Sequence, residues 1–446
     1  MNRDLPEALD HDLRRDLCAA AAAVLLVVAA AVVGTVIQHR HGTLRVNWPP
    51  LLADWDPHLG PGTPAALAVA AAVVVYGPSV AVRLPWRSLL LAAWGTGMAW
   101  TWSLALVDGW HQGVAGQLTT QHEYLRVIDR FHDIPAALRG FSDHILLESP
   151  DNWPAHVAGH PPGATLTFVL LDRIGLGGGG WAGTWCITVG TTAAVAVLVA
   201  VRALTEERLA RRAAPFLVLA PAAVWVGTSA DGYFAAVAAW ALALLALAVT
   251  GCRPGWTGLA SGLLFGWTVY LSYGLTLFAV IAGAVLLLGS HRTRPLPFLL
   301  AGFLVAPVAF TAAGFDWWEA YRVLVTRYHQ GAGGVRPYGY WVWANLACTV
   351  VIVGLATVAG LRRAGAALIR RTDGGQARLA LLVAGALVAM LVADLSGMSK
   401  AETERIWLPF ALWLLPACAL LTGARAWLVA QAVLALLVNH LLLTGW

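Results

Sequence analysis

Asp108 directly follows an apolar run, in Val107-Asp108-Gly109. An ionised carboxylate at a membrane boundary is costly unless it faces a wet cavity or a partner. Asp108 is therefore read either as a chemical group or as a plain helix-end residue. Asp231 occupies a similar place in Thr228-Ser229-Ala230-Asp231-Gly232-Tyr233, although turn chemistry alone also accounts for Asp-Gly there. His160 leads Pro161-Pro162-Gly163, where two prolines fix the chain direction, start a helix and hold the imidazole at its entry. Glu123 closes Thr120-Gln121-His122-Glu123, which fits a capping box.

Cations gather in two later segments. Arg322, Arg327 and Arg336 are interleaved with aromatic residues, a composition that holds a phosphate and stacks a sugar ring. Trp317, Trp318, Trp341 and Trp343 also fit the aromatic belt of a membrane protein. Lys400, the chain's only lysine, stands near Arg405 in Ser399–Trp407. Lys400 and Glu404 are spaced i,i+4 for a local ion pair, which leaves Arg405 free to point at the membrane surface.

The elements that must position these groups are apolar helices. The 446 residues are 59% hydrophobic and 12% charged, with mean hydropathy +0.68. Ordinary globular domains carry about 25% charged residues. Apolar runs repeat along the whole chain, which excludes disordered, fibrous, disulfide-rich and DNA-binding classes. The pI near 9.1 reflects arginines scattered in short loops, a membrane-orientation pattern, so no nucleic-acid partner is expected. The five cysteines lie in or beside apolar runs, and neither a structural disulfide nor a cysteine metal site is expected. Abundant Arg, Ala, Val, Leu and Gly fit a GC-rich genome, such as that of an actinobacterium.

The expected fold is all-α: a polytopic transmembrane bundle of about thirteen spans. They lie near 17–37, 65–83, 88–107, 181–202, 214–229, 232–250, 256–273, 274–290, 295–313, 346–361, 379–396, 407–422 and 426–443. The first run is read as a retained helix, because it is long and has no clean cleavage site. Arginine sets the orientation, with the N-terminus inside and the C-terminus outside. Inner loops hold Arg3, Arg14, Arg15, Arg83, Arg87, Arg202, Arg208, Arg211, Arg212, Arg253, Arg292, Arg294, Arg362, Arg363, Arg370, Arg371, Arg378 and Arg425. The longer outer segments are 38–64, 108–180, 314–345 and 397–406, so an active site faces outward.

Within 108–180, residues 119–131 read as an amphipathic helix with Tyr124, Val127, Ile128 and Phe131 on one stripe. Pro135 starts a second, with Leu138, Phe141 and Ile145. Both suit the headgroup plane, and both also suit ordinary packed loop helices. The apolar part of 160–180 makes only about two helical turns, too short to span about 30 Å, and reads as interfacial or re-entrant.

In this order, Asp108, two amphipathic segments, His160-Pro161-Pro162-Gly163 and Asp231 after a run beginning at Pro215 resemble the GT-C superfamily of polyprenyl-phosphate-sugar glycosyltransferases. The likeness is to its protein mannosyltransferase and aminoarabinose transferase branch, and it covers roughly 88–280. Two positions depart from the family pattern. Gly109 stands where relatives often have a second acid, and Gly163 replaces the leucine of His-Pro-Pro-Leu. The implied layout is an N-terminal two-helix extension (1–84), a catalytic module (85–345) and C-terminal transmembrane helices (346–446).

The resemblance implies an inverting hexosyl- or pentosyltransferase in the plasma membrane, with mannose and arabinofuranose both fitting. The donor would be a polyprenyl-phosphate sugar, and the acceptor a glycan, lipid or protein of the cell envelope. Asp108 takes the base role, with Asp231 and Glu123 as the other catalytic candidates. Arg405, Lys400, Arg336 and Arg322 would stabilise the departing phosphate, with His160 touching it or shaping the cavity. No cofactor is required. Some relatives bind a divalent ion, to which Glu123, His122 and Asp231 could contribute, although their spacing compels none. A transporter or lipid flippase, or a non-catalytic subunit of an envelope complex, is the alternative class.

Overall fold

The computed structural model describes residues 4–370 and 374–445. Arg3 and Arg371, two of the expected inner-loop charges, lie outside them. The described chain is mainly helical, with two short antiparallel strands, Ala53–Trp55 and Leu442–Thr444, which pair with Asp54 opposite Leu443.

Among the described residues, six helices are long and apolar enough to cross a membrane. They are His11–His41, Thr63–Arg83, Gly179–Leu204, Ala230–Val249, Gly375–Leu395 and Ala424–Leu441. Two bent pairs raise the number to eight: Leu296–Ala312 with Trp317–Gln330, bent by 77°, and Tyr338–Val353 with Leu355–Ile369, bent by 108°.

These numbers fall short of the thirteen runs read from the sequence, and the reason is local. The 214–229 run divides into Glu207–Val218, with Pro215 inside it, and a single turn at Ala223–Val226. The 407–422 run divides into Leu408–Ala411 and a 3-10 stretch, Leu415–Leu420, each with proline in its first turn. The 274–290 run begins as 3-10 helix, Tyr273–Leu277, before Phe278–Leu288. Proline lacks the amide that continues a helix, so apolar length alone overstates helix length. The 88–107 and 256–273 runs are continuous helices, Trp86–Ala105 and Pro254–Leu271, rich in Trp, Gly, Ser and Thr, and are not among the six.

The core centres on Ala230–Val249, whose most apolar window is 78% buried, against 22% for His11–His41 and for Thr63–Arg83. The outer helices instead expose residues such as Leu25, Leu67 and Leu91. Apolar surface of that kind belongs against lipid.

Arginines of the expected inner loops fasten helix ends. Arg211 donates to the carbonyls of Ala81 and Leu84 at 2.7 and 2.8 Å. Arg378 donates to those of Leu204 and Leu288, ending two further helices. Terminal carbonyls have no partner within their own helix, and a guanidinium supplies one. Asp16, fully buried in the first helix, pairs with Arg362 at 2.7 Å and Arg363 at 2.6 Å.

The 108–180 loop is shorter in its helices than its sequence pattern predicts. Tyr124–Phe131 is 3-10 helix, and Glu123 precedes it without a side-chain cap. The capping box therefore does not form, because Glu123 turns to another partner. The stripe itself holds, since Tyr124, Val127 and Phe131 are buried. Ile134–Arg139 starts beside Pro135, with Asp133 as its cap, and Leu138, Phe141 and Ile145 are buried. Pro162–Arg173 is a single short helix, not among the candidate spans.

Gly163 lies on that short helix at a close approach to another helix. A Cβ there would stand 2.5 Å from the carbonyl oxygen of Tyr270. The short helix thus packs directly on the end of Pro254–Leu271, and leucine has no room.

Candidate functional site

Arg405 is the centre of a buried polar network. Its guanidinium donates to the Asp231 carboxylate, lies 3.5 Å from Glu402, and donates to Nε2 of His156 at 3.3 Å. Nδ1 of His156 in turn meets Oε1 of Glu123 at 2.7 Å. A guanidinium only donates, so Nε2 must accept and the ring proton sits on Nδ1, facing Glu123. His156 thereby bridges a carboxylate and a guanidinium. All four of Asp231, Arg405, Glu123 and His156 are buried.

Local sequence builds each arm. Ser229 caps the central helix by accepting from the Asp231 amide at 3.1 Å, which places Asp231 in its first turn. The helix dipole favours a carboxylate there. Thr228 turns the chain with φ 64, unusual for a β-branched residue, and its hydroxyl donates to the carbonyl of Gly113 at 3.1 Å. The Asp231 turn therefore touches the loop that follows Asp108. Arg405 comes from a loop in which Ala401 and Glu402 both take left-handed backbone, φ 68 and 61. Such positions cost roughly 1–2 kcal/mol each for residues with a Cβ, and they concentrate at functional sites. Asn345 steadies this loop, donating to the carbonyl of Ser399 and accepting from Thr403.

Glu402 links Arg405 to Arg336, whose Nη1 lies 3.3 Å from its carboxylate. Burial works against ionisation of Glu402, but Arg405 and Arg336 hold its carboxyl below the ordinary range. Arg336 also donates to the carbonyls of Leu44 and Lys400. Lys400 donates to the carbonyl of Gly333 at 2.9 Å, so the i,i+4 pair with Glu404 is not made. Glu404 is instead fully buried and accepts from the amide of Leu52. Burial pushes its carboxyl up to about 7.

His160 lies beside this network. Its Nδ1 meets the carbonyl of His156 at 2.7 Å and the hydroxyl of Tyr124 at 3.1 Å. Burial pushes the imidazole down to about 4, so the ring is neutral and presents an acceptor, not a charge.

Asp108 stands apart from the arginine network. Its Oδ1 lies 2.7 Å from Nε2 of His58, and its carboxylate is 15% exposed. Burial raises its carboxyl against the opposing pull of His58. Arg322 is also apart, exposed and donating to the carbonyl of Trp318 in its own helix.

The suggested metal contributors do not converge. Glu123 pairs with His156, Asp231 with Arg405, and His122 with Gln121. Among the described residues, no group of three or more His, Cys, Asp or Glu is arranged to hold a metal ion.

His156 and Glu402 of the network, and His58 beside Asp108, were not singled out in the sequence. His156 had a usable signal, its i,i+4 spacing to His160 within one loop, and Glu402 its i,i+3 spacing to Arg405. His58 had none, since it meets Asp108 from 50 residues away.

No family model matches the chain, and no curated protein matches it. Among solved structures, the Archaeoglobus fulgidus oligosaccharyltransferase in complex with Zn and sulfate is similar at 14% identity and TM-score 0.47, covering 79% of this chain and 51% of that one. The oligosaccharyltransferase AglB from Archaeoglobus fulgidus, with an inhibitory peptide and a dolichol-phosphate, is similar at 14% identity and TM-score 0.43, covering 75% and 50%. The chain spans about half the length of these proteins.

Proposed function

We propose that this chain is a membrane-embedded inverting glycosyltransferase. It moves a sugar from a polyprenyl-phosphate donor to a cell-envelope acceptor on the outer face of the plasma membrane. The observation that carries this reading is the meeting of Glu123, His156, Asp231, Glu402 and Arg405 in one buried network built from two of the expected outer segments and the Asp231 turn. Residues so far apart in sequence are brought together, and in this reading the network lies where the lipid-linked phosphate binds.

In this reading Asp108 is the general base. It takes the proton of the acceptor hydroxyl as that oxygen attacks the anomeric carbon. The bond from the anomeric carbon to the phosphate oxygen breaks, and its electron pair leaves with the lipid phosphate. Arg405 is the cation best placed to stabilise that charge, because its guanidinium is buried and preorganised. Arg336 supports it through Glu402. Lys400 is tied to Gly333 and holds the loop. Asp231 and Glu123 orient Arg405, the first directly and the second through His156.

The test is sugar transfer in purified membranes with a panel of radiolabelled polyprenyl-phosphate sugars, comparing wild type with Asp108→Asn at matched expression. Transfer abolished by the variant supports both the reaction and the base. Transfer unaffected by it moves the base to another carboxylate. Absence of transfer across donors and acceptors counts against the enzyme.

A further inference from the structure

The pair formed by His58 and Asp108 joins the N-terminal extension to the proposed base. The imidazole has an acceptor at each nitrogen. Nδ1 lies 2.6 Å from the carbonyl oxygen of Asp56, and Nε2 lies 2.7 Å from Oδ1 of Asp108. A carbonyl oxygen only accepts, so Nδ1 carries a proton. The short contact at Nε2 then needs a second proton between ring and carboxylate. A neutral ring facing an ionised carboxylate would set two acceptors against each other.

We infer that His58 is the positioning residue for Asp108: it forms with it a proton-holding pair, imidazolium against carboxylate, that fixes Oδ1 and leaves Oδ2 to act on the acceptor. This rests on the reading of Asp108 as the base.

The surroundings support the assignment. The other titratable groups facing the pair are Asp56 and His440. His440 stacks on His58 with ring centroids 6.5 Å apart. Its Nδ1 meets the carbonyl of Leu436 at 2.8 Å and its Nε2 the hydroxyl of Thr63 at 3.0 Å. Both ring nitrogens of His440 thus have partners of their own, and neither is hydrogen-bonded to Asp108. Its backbone carbonyl also accepts from the His58 amide at 2.9 Å. The Ala53–Trp55 and Leu442–Thr444 strands fasten this junction, so both ends of the chain build the environment of Asp108. Burial works against a charged His58, yet the Asp56 carbonyl and the Asp108 carboxylate together raise it above its ordinary value.

The proton count follows. Before transfer the pair holds one proton between Nε2 and Oδ1. During transfer the acceptor hydroxyl gives a second proton to Oδ2 of Asp108. That proton leaves to water afterwards and restores the pair.

The experiment is a pH titration of the purified full chain in nanodiscs by infrared spectroscopy, without substrate. The protonated-carboxyl band of Asp108 is identified by its loss in Asp108→Asn. In His58→Gln the midpoint of that band should rise by about 1–3 pH units, the usual effect of removing a neighbouring opposite charge. An unmoved midpoint overturns the pair. If His58→Gln does not fold, ¹⁵N-histidine spectra of the wild type decide. One ring protonated at both nitrogens at neutral pH, and altered in Asp108→Asn, is expected; its absence overturns the pair. A shifted midpoint in a protein with no sugar transfer leaves the pair standing and removes the functional reading. Transfer whose pH profile is the same in wild type and His58→Gln overturns the positioning role.

Discussion

The guanidinium of Arg405 is paired with the carboxylate of Asp231, 174 residues earlier in the chain, and both side chains are about 95% buried (6% and 5% exposed). The pair ties the short loop before Trp407 to the first turn of the central helix. Removing one member of a buried pair leaves the other charged and unsolvated, at about 3–5 kcal/mol. Arg405→Ala should therefore lower stability by that order, and Arg405→Ala with Asp231→Ala should lose less than the two single variants summed. Unfolding in detergent across this mutant cycle measures the coupling; additive losses would show that the two side chains act separately.

Lysine should not replace Arg405. One guanidinium reaches Asp231, Glu402 and His156 at once, whereas an ammonium is a compact point charge without that planar fork. Arg405→Lys should keep much of the fold but lose at least about tenfold in kcat of sugar transfer, equivalent to about 1.4 kcal/mol. Equal rates would place phosphate stabilisation elsewhere.

Glu404 predicts a pH dependence of stability. Its folded carboxyl is raised to about 7 from an ordinary value of 4.5. The folded state then holds the proton more tightly than the unfolded state. The resulting stabilisation is complete below about 4.5 and is lost as pH rises through about 7, with a limiting slope of about 1.4 kcal/mol per pH unit. Glu404→Gln keeps an acceptor for the Leu52 amide and removes the titration. Thermal unfolding should show wild type losing ground to the variant as pH rises across that window. Parallel curves would contradict the assignment.

Gly163→Leu should disrupt the packing. Even the Cβ meets the Tyr270 carbonyl at 2.5 Å, and backbone does not yield as a side-chain tip does. A loss of about 1–3 kcal/mol is expected, in line with other overpacked contacts. Gly163→Ala should already show part of it in the same unfolding assay. An unchanged midpoint for both variants would mean that the short helix moves freely against its neighbour.

Arg378→Ala should loosen two helix ends together, because one guanidinium satisfies the carbonyls of Leu204 and Leu288. Unpaired buried carbonyls cost about 1–3 kcal/mol each. Hydrogen exchange at both helix ends should rise in parallel in the variant; a rise at one end alone would mean that the second contact contributes nothing.

Helicity, repeated apolar runs and a few long polar loops were all legible in the residues. Those properties are local: hydropathy and proline position act over a few turns. The stripe of Tyr124, Val127 and Phe131 was legible for the same reason, since burial follows the side-chain pattern even where the helix proves to be 3-10. Asp231 was legible as an acid ending an apolar run, Glu123 as a capping-box acid and Arg405 as a cation just outside a span, but that they share one network from which Asp108 stands apart came only with the folded chain. Glu123 could have capped its own helix, and Lys400 could have paired with Glu404, at equal sequence cost. Glu123 instead meets His156, because a desolvated charge must take a complementary group that packing brings near, and Lys400 donates to the Gly333 carbonyl while Glu404 accepts from Leu52. The partnership of His58 with Asp108 is of the same kind. It depends on the path of the segment between the first two long helices and on its fastening to the C-terminal strand, and no residue spacing encodes either.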